Sequence, residues 1–211
     1  MTFAKESLPF VAPLGIAALV LLLFGQLPTA LFLAGLAVLV LLFFRIPKRQ
    51  TEAAEGMILA PANGRILRID RSPALLNREG DVQRIVTFLS VFNVHVQRAP
   101  VSGEVVESRF TPGRKIAAFK AEADSVNENH LTVLRRENGD LIGIRQVAGL
   151  VARRVVCRLL PGDLIQRGDL MGLIKFGSRV DLMLPDQYEI LVRQGDRLRE
   201  GDTVVAKPRT Q

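Results

Sequence analysis

Ala60-Pro61-Ala62-Asn63-Gly64-Arg65-Ile66-Leu67 and Ala99-Pro100-Val101-Ser102-Gly103-Glu104-Val105-Val106 have the same pattern: an alanine-proline step, a small turn ending in glycine, and a β-branched run. Proline fixes φ and interrupts a strand, glycine tolerates backbone geometry that other residues resist, and the apolar run that follows reads as a new strand. A second pair, Gly162-Asp163-Leu164-Ile165-Gln166-Arg167-Gly168-Asp169 and Gly195-Asp196-Arg197-Leu198-Arg199-Glu200-Gly201-Asp202, repeats a Gly-Asp corner twice in each copy. At such corners glycine supplies positive φ, and the aspartate accepts hydrogen bonds from nearby backbone amides. Both pairs are therefore turns feeding strands, and they encode scaffold.

The remaining signals in residues 51–211 agree. Ile85-Val86-Thr87-Phe88-Leu89, Val94-His95-Val96, Val105-Val106, Leu131-Thr132-Val133-Leu134 and Val155-Val156-Cys157-Arg158-Leu159 are short, β-branched and bounded by turn formers. No long helical periodicity interrupts them. The expected fold is mainly β, with a strand-and-turn grammar that resembles the barrel-sandwich hybrid of lipoyl and biotinyl domains.

Residues 1–50 are different. No charged residue occurs in residues 9–44, and Gly25-Gln26-Leu27-Pro28 divides that stretch into apolar segments over about 9–25 and 28–44. At 1.5 Å per residue each reaches about 25 Å, close to the lower limit for a bilayer span. A transmembrane helical hairpin acting as an anchor is the expectation. Arg45, Lys48 and Arg49 at one end and Lys5 at the other place both ends, and the β domain, on the cytoplasmic side of the cell membrane. A single tilted span and a buried helical pair are the rival readings; a cleaved export signal would have one shorter apolar core.

Among the 211 residues are one cysteine and two histidines, and the net charge is +7. Cys157 alone forms no disulfide framework or cysteine zinc site, and between Val155, Val156 and Leu159 it reads as a small buried hydrophobe. His130 reads as a turn or surface residue. The basic excess suits an anionic membrane surface; no motif or aromatic platform points to nucleic acid.

Lys175-Phe176-Gly177-Ser178-Arg179-Val180-Asp181 carries the chemistry. A serine after a flexible glycine, between segments that hold the peptide taut, can attack its own backbone. With Ala60-Pro61-Ala62-Asn63-Gly64, Phe92-Asn93-Val94-His95-Val96-Gln97-Arg98-Ala99-Pro100, Asn127-Glu128-Asn129 and Gln146-Val147-Ala148-Gly149-Leu150-Val151-Ala152-Arg153-Arg154, all in consistent order, the chain resembles the short-form phosphatidylserine decarboxylase proenzymes.

The resemblance implies self-cleavage between Gly177 and Ser178 into a β chain, 1–177, and an α chain, 178–211. These stay together as a heterodimer that could pair again. Ser178 would become a covalent pyruvoyl group, the pyruvate cofactor that forms a Schiff base with phosphatidylserine and releases phosphatidylethanolamine, with no metal and no pyridoxal phosphate. His95 would be the base for self-cleavage, and Asn63 stands where the family commonly has an acidic residue that orients it. An additional histidine of longer family members is Phe92 here. Arg153 and Arg154 are candidates for the lipid phosphate. Two alternatives follow from the same residues: an uncleaved relative that binds lipid, and a membrane-anchored barrel-sandwich adaptor without catalysis.

Overall fold

A computed structural model describes residues 1–49, 53–77, 80–120, 122–150, 154–175 and 178–209, and the chain divides into two compact units, Met1–Lys48 and Arg49–Gln211. In the first unit, α1 (Leu8–Leu23) and α2 (Leu27–Phe43) pack against each other. Pro9 and Pro28 lie in their first turns, where a missing N–H leaves no intrahelical bond unmade. The strands β1 (Thr2–Phe3) and β2 (Arg45–Ile46) pair antiparallel, so the two ends of the unit meet. The stretch Lys5–Leu23 is long and apolar enough to cross a membrane; α2 is equally apolar in character but shorter than that limit.

The second unit is built from β3 (Ile58–Leu59), β4 (Gly64–Pro73), β5 (Asp81–Leu89), β6 (Val96–Arg98), β7 (Gly103–Thr111), β8 (Asn129–Arg135) and β9 (Leu141–Ala148). It continues with β10 (Arg154–Cys157), β11 (Leu164–Ile165), β12 (Leu170–Lys175), β13 (Ser178–Leu184), β14 (Tyr188–Ile190), β15 (Arg197–Leu198) and β16 (Val204–Pro208). One turn of α-helix, α3 (Ala123–Val126), and a 3-10 turn at Leu75–Asn77 interrupt a mainly β unit. A curled eight-stranded sheet has the order β11-β7-β8-β9-β13-β5-β4-β15, and two three-stranded sheets, β10-β12-β6 and β14-β16-β3, complete the unit. Its inner face carries the main core, including Ile66, Ile85, Leu89, Ile144, Val180 and Leu182.

The two sequence repeats dock onto each other in the same way. Ala60 and Ile66 exchange backbone hydrogen bonds with 201–203 and 195–196, while Ala99 and Val105 do so with 168–169 and 162–163, at 2.8 to 2.9 Å. The Gly-Asp corners behave as their chemistry requires: Gly162, Gly168, Gly195 and Gly201 have positive φ. Asp163, Asp169 and Asp196 each accept from a backbone N–H three residues earlier, at 2.7, 3.1 and 2.7 Å respectively.

Gly64 and Gly103, the glycines of the proline turns, serve a different purpose. Neither has positive φ. Each opens a strand so close to its neighbour that a Cβ would stand 2.1 Å from the Phe88 carbonyl oxygen at Gly64 and 2.5 Å from that of Arg135 at Gly103. Backbone cannot step aside as a side chain can. Gly64→Ala and Gly103→Ala are therefore expected to lose about 3 kcal/mol or more each, against about 1 kcal/mol for Gly139→Ala, which has positive φ but open space around it. Chemical denaturation of the three variants checks the order, and equal losses would contradict it.

Candidate functional site

One transverse row of the curled sheet locates the site. Main-chain pairing runs from Thr111 to Asn129, Val147, Arg179 and Phe88, and one residue further Ala148, Ser178 and Leu89 stand side by side. At this end the chain leaves the sheet after Leu89, after Thr111 and after Ala148, while Ser178 enters it.

Ser178 is the first residue of β13 and has no solvent exposure. Along a strand successive side chains take opposite faces. Val180, Leu182 and Leu184 belong to the inner core, so Ser178 shares their inward face. Its Oγ has no hydrogen-bond partner among the described residues. A buried hydroxyl left unpaired costs about 1–3 kcal/mol, which the fold tolerates here at one end of a central strand.

His95 is held beside the same corner. Val96 pairs with Leu173, and the Ile174 N–H donates to the His95 carbonyl at 3.1 Å, which docks the histidine onto the last turnless residues of β12. The short segment from Leu89 to Val96 thus touches both strands that flank residues 176–177: Leu89 opposite Ser178, Val96 opposite Leu173. His95 itself precedes β6 rather than lying within an alternating strand. The reason is a turn in which the Asn93 N–H donates to the Ser90 carbonyl at 2.9 Å and the Asn93 Oδ1 accepts from the Ser90 N–H and hydroxyl at 2.9 and 2.7 Å.

That turn also orients the ring. The Asn93 carbonyl lies 2.9 Å from His95 Nδ1. A carbonyl only accepts, so Nδ1 carries the proton and, in the neutral ring, Nε2 presents the lone pair. Asn93 Nδ2 in turn donates to Asn63 Oδ1 at 2.9 Å. Asn63 therefore meets the histidine through Asn93. From the other side Gln97 Nε2 donates to the His95 carbonyl at 2.9 Å, and Gln146 Nε2 donates to Gln97 Oε1 at 2.7 Å. These two buried glutamines belong to quoted motifs, yet nothing in a linear reading signalled that they would meet.

The outer face beneath the same row is ionic. Asp181, fully buried, is ion-paired to Arg179 at 2.8 Å and Arg145 at 2.7 Å, and Arg145 is its cross-strand neighbour. Asp124 on α3 receives Arg68, Arg84 and Arg179, and Asp70 receives Arg68 and Arg84. Burial alone would raise the Asp124 carboxyl, but Arg179, Arg84 and Arg68 outweigh it and hold it below the usual range. Asp70 follows the same balance, with burial opposed by Arg84 and Arg68. The network clamps the loop bearing α3 to the strand that begins at Ser178.

Gly177 and Arg153 lie outside the described residues. Arg154 is exposed at the start of β10, paired through its main chain with Lys175. His130 departs from the surface or turn position expected of it: it is a half-buried residue of β8, with Nε2 2.9 Å from Ser108 Oγ. Cys157 is half-buried in β10, its Sγ 3.6 Å from Thr132 Oγ1; burial would raise its thiol, but His130, the Leu159 backbone and Thr132 together lower it.

The family model described as phosphatidylserine decarboxylase matches residues 36–206. A phosphatidylserine decarboxylase proenzyme of Desulfotalea psychrophila is 40% identical over 97% of this chain and 95% of its own length. Proenzymes of the same name from Symbiobacterium thermophilum and Nitrosomonas eutropha are each 40% identical over 97% of this chain and 94% of theirs.

The depressed carboxyls of Asp124 and Asp70 set a pH dependence. A carboxylate whose folded pKa lies below its unfolded value contributes stability that is complete above about pH 4 and is lost as pH falls through the folded value. The unfolding temperature should therefore fall as the pH is taken below about 4. Asp124→Asn should lower it at neutral pH and make the acid limb shallower, and an unchanged limb in differential scanning calorimetry would contradict the assignment.

Proposed function

The chain belongs to the phosphatidylserine decarboxylase family and is a decarboxylase, and from that premise we propose that it cuts itself between Gly177 and Ser178 and converts phosphatidylserine to phosphatidylethanolamine with a pyruvoyl group made from Ser178. The observation that carries this reading is the buried hydroxyl of Ser178, without a hydrogen-bond partner among the described residues, at the start of a central strand, with His95 docked against the strand before it.

The chemistry follows from those groups. His95 Nε2 takes the Ser178 hydroxyl proton, and Oγ attacks the Gly177 carbonyl carbon. The C–N bond between the two residues breaks as the C–O ester bond forms. Loss of the Ser178 Cα proton then expels the 1–177 fragment as a carboxylate, and water releases ammonia and leaves a ketone at the new end of the 178–211 fragment. A buried serine at a strand start, held taut by pairing on both sides, fits this group without rearrangement of the sheet.

The pyruvoyl group supplies a carbonyl that condenses with the substrate amine and accepts the electron pair left when carbon dioxide departs. Asn63 and Asn93 keep the His95 ring in the tautomer that leaves Nε2 basic. Arg154, with Arg153, provides guanidinium groups for the lipid phosphate. The two fragments remain one folded unit as an αβ heterodimer, because β13 is paired on both sides with strands of the 1–177 fragment. The mutual docking of the repeats supports a barrel-sandwich hybrid scaffold. The apolar pair α1 and α2, with cations at both ends, is a transmembrane hairpin that keeps the catalytic unit at the cytoplasmic surface of the cell membrane.

Full chain purified in detergent and supplied with phosphatidylserine is expected to release phosphatidylethanolamine, and Ser178→Ala is expected to be cut nowhere and to fall to the uncatalysed background. Decarboxylation by Ser178→Ala at the parent rate would overturn the proposal. Asn63→Asp keeps the acceptor for Asn93 and adds charge, so self-cleavage should be at least as fast as in the parent; Asn63→Leu removes the acceptor and should slow it by about tenfold or more. A parent chain that binds serine lipid but is never cut would favour the uncleaved alternative that Asn63 suggests.

A further inference from the structure

The end of the curled sheet that holds Ser178 is also where the catalytic unit exposes its aromatic surface. Among the described residues of that unit the exposed aromatic side chains are Phe92, 86% exposed, Phe110, 49%, and Phe119, 58%. Phe92 is in the segment that follows Leu89, Phe110 immediately precedes the end of β7, and Phe119 lies edge-on to Phe88, the main-chain partner of Arg179. Val91, 45% exposed, and Leu150, 68% exposed, sit on the loops leaving Leu89 and Ala148, the two residues that flank Ser178. Strand pairing and the Phe88–Phe119 ring contact therefore place these tips at the Ser178 end of the sheet.

Exposed apolar groups of this size at the tips of loops are not needed to cover a core, and a contiguous set marks an interaction surface. The charge beside them identifies the partner. Arg114, Lys115 and Lys120 are exposed on the loop that carries Phe119, and Arg154 is exposed at the start of β10, the strand that follows Leu150. Phenylalanine and leucine flanked by cations is the composition of a segment that lies at the boundary between headgroups and acyl chains of an anionic bilayer.

We infer that the Ser178 end of the catalytic unit enters the headgroup layer of the membrane, with Phe92, Phe119 and Leu150 as its apolar contacts and the neighbouring cations on anionic headgroups. The inference rests on the reading of the substrate as a phospholipid. Ser178 has no solvent exposure, and the acyl chains of such a substrate stay in the bilayer, so the lipid's amine reaches the serine only if the mouth itself abuts the lipid.

The chain contains no tryptophan, so Phe92→Trp, Phe119→Trp and Leu164→Trp each introduce a sole fluorophore. Leu164 is 82% exposed and pairs with Glu104 at the opposite end of β7 from Thr111, which makes it the control. The full chain is reconstituted in vesicles of phosphatidylcholine and phosphatidylserine with or without bromine on the acyl chains. Emission from Phe92→Trp and Phe119→Trp should shift to the blue and be quenched at least about twofold, whereas Leu164→Trp should keep solvent-like, unquenched emission. Unquenched emission at both loop positions, or equal quenching at all three, overturns the inference.

A second measurement reads function. The double variant Phe119→Ser/Leu150→Ser should lose about tenfold in kcat/KM on serine lipid in vesicles while retaining parental activity on a monomeric short-chain serine phospholipid and an unchanged yield of the self-cleaved fragments. Equal losses on both substrates, or no loss on vesicles, contradict it. A parent chain active on neither substrate would instead refute the proposed function, and the quenching would still decide where the mouth sits.

Discussion

Alternation along β13 is the constraint on which the rest of the molecule depends. Each residue from Ser178 to Leu184 is buried, so both faces of the strand must be satisfied at once. The inward set, Ser178, Val180, Leu182 and Leu184, meets the main core, and the outward set, Arg179, Asp181 and Met183, meets the ion network and a small apolar cluster around Leu75. A slip of one residue would bury the arginine and aspartate in the apolar core and expose the serine to a ring of guanidinium groups. The network on the outer face is thus a register lock for the hydroxyl on the inner one.

The scaffold that presents this strand is made by doubling. Two proline turns dock on two Gly-Asp corners through equivalent backbone bonds, and each turn sends a strand, β4 or β7, into the same curled sheet. Glycine is needed at both strand starts because neighbouring backbone fills the space a Cβ would take. The first turn also contributes Asn63, whose place in the second copy is taken by Ser102. Scaffold and site therefore diverge at that position: Asn63 reaches Asn93, whereas Ser102 accepts from the Arg167 N–H at 2.9 Å and holds a corner.

Much of this was legible in the sequence. The repeats, the short β-branched runs and the uncharged front of the chain each follow from local chemistry, and they gave a mainly β unit behind an apolar helical segment. Ser178 and His95 stood out as candidates through motif order, since a serine after glycine carries little information alone. What stayed hidden was long-range. The Arg68, Arg84, Arg145, Arg179 cluster draws on strands far apart in the chain, and no local pattern links its members. Gln97 and Gln146 become a relay only when β6 and β9 approach. His130 read as a turn residue because it follows a polar loop, but the strand starts one residue earlier and pairs it with Phe110 and Gln146. His95 read as a strand residue because valines flank it, and the Asn93 turn prevails over that pattern.

In the proposed function, a histidine set in one tautomer by a carbonyl, a hydroxyl without a partner among the described residues, and a strand start paired on both sides form a site whose first reaction is on its own backbone. On that proposal, decarboxylase activity depends on an event in the life of the chain rather than on capture of a separate cofactor. Intact-mass spectrometry of the purified chain tests this most directly. The account predicts that the 23.2 kDa polypeptide is replaced by two fragments, 1–177 and 178–211, the smaller beginning with a ketone that blocks Edman sequencing. A single uncut species in a preparation that decarboxylates phosphatidylserine would contradict it.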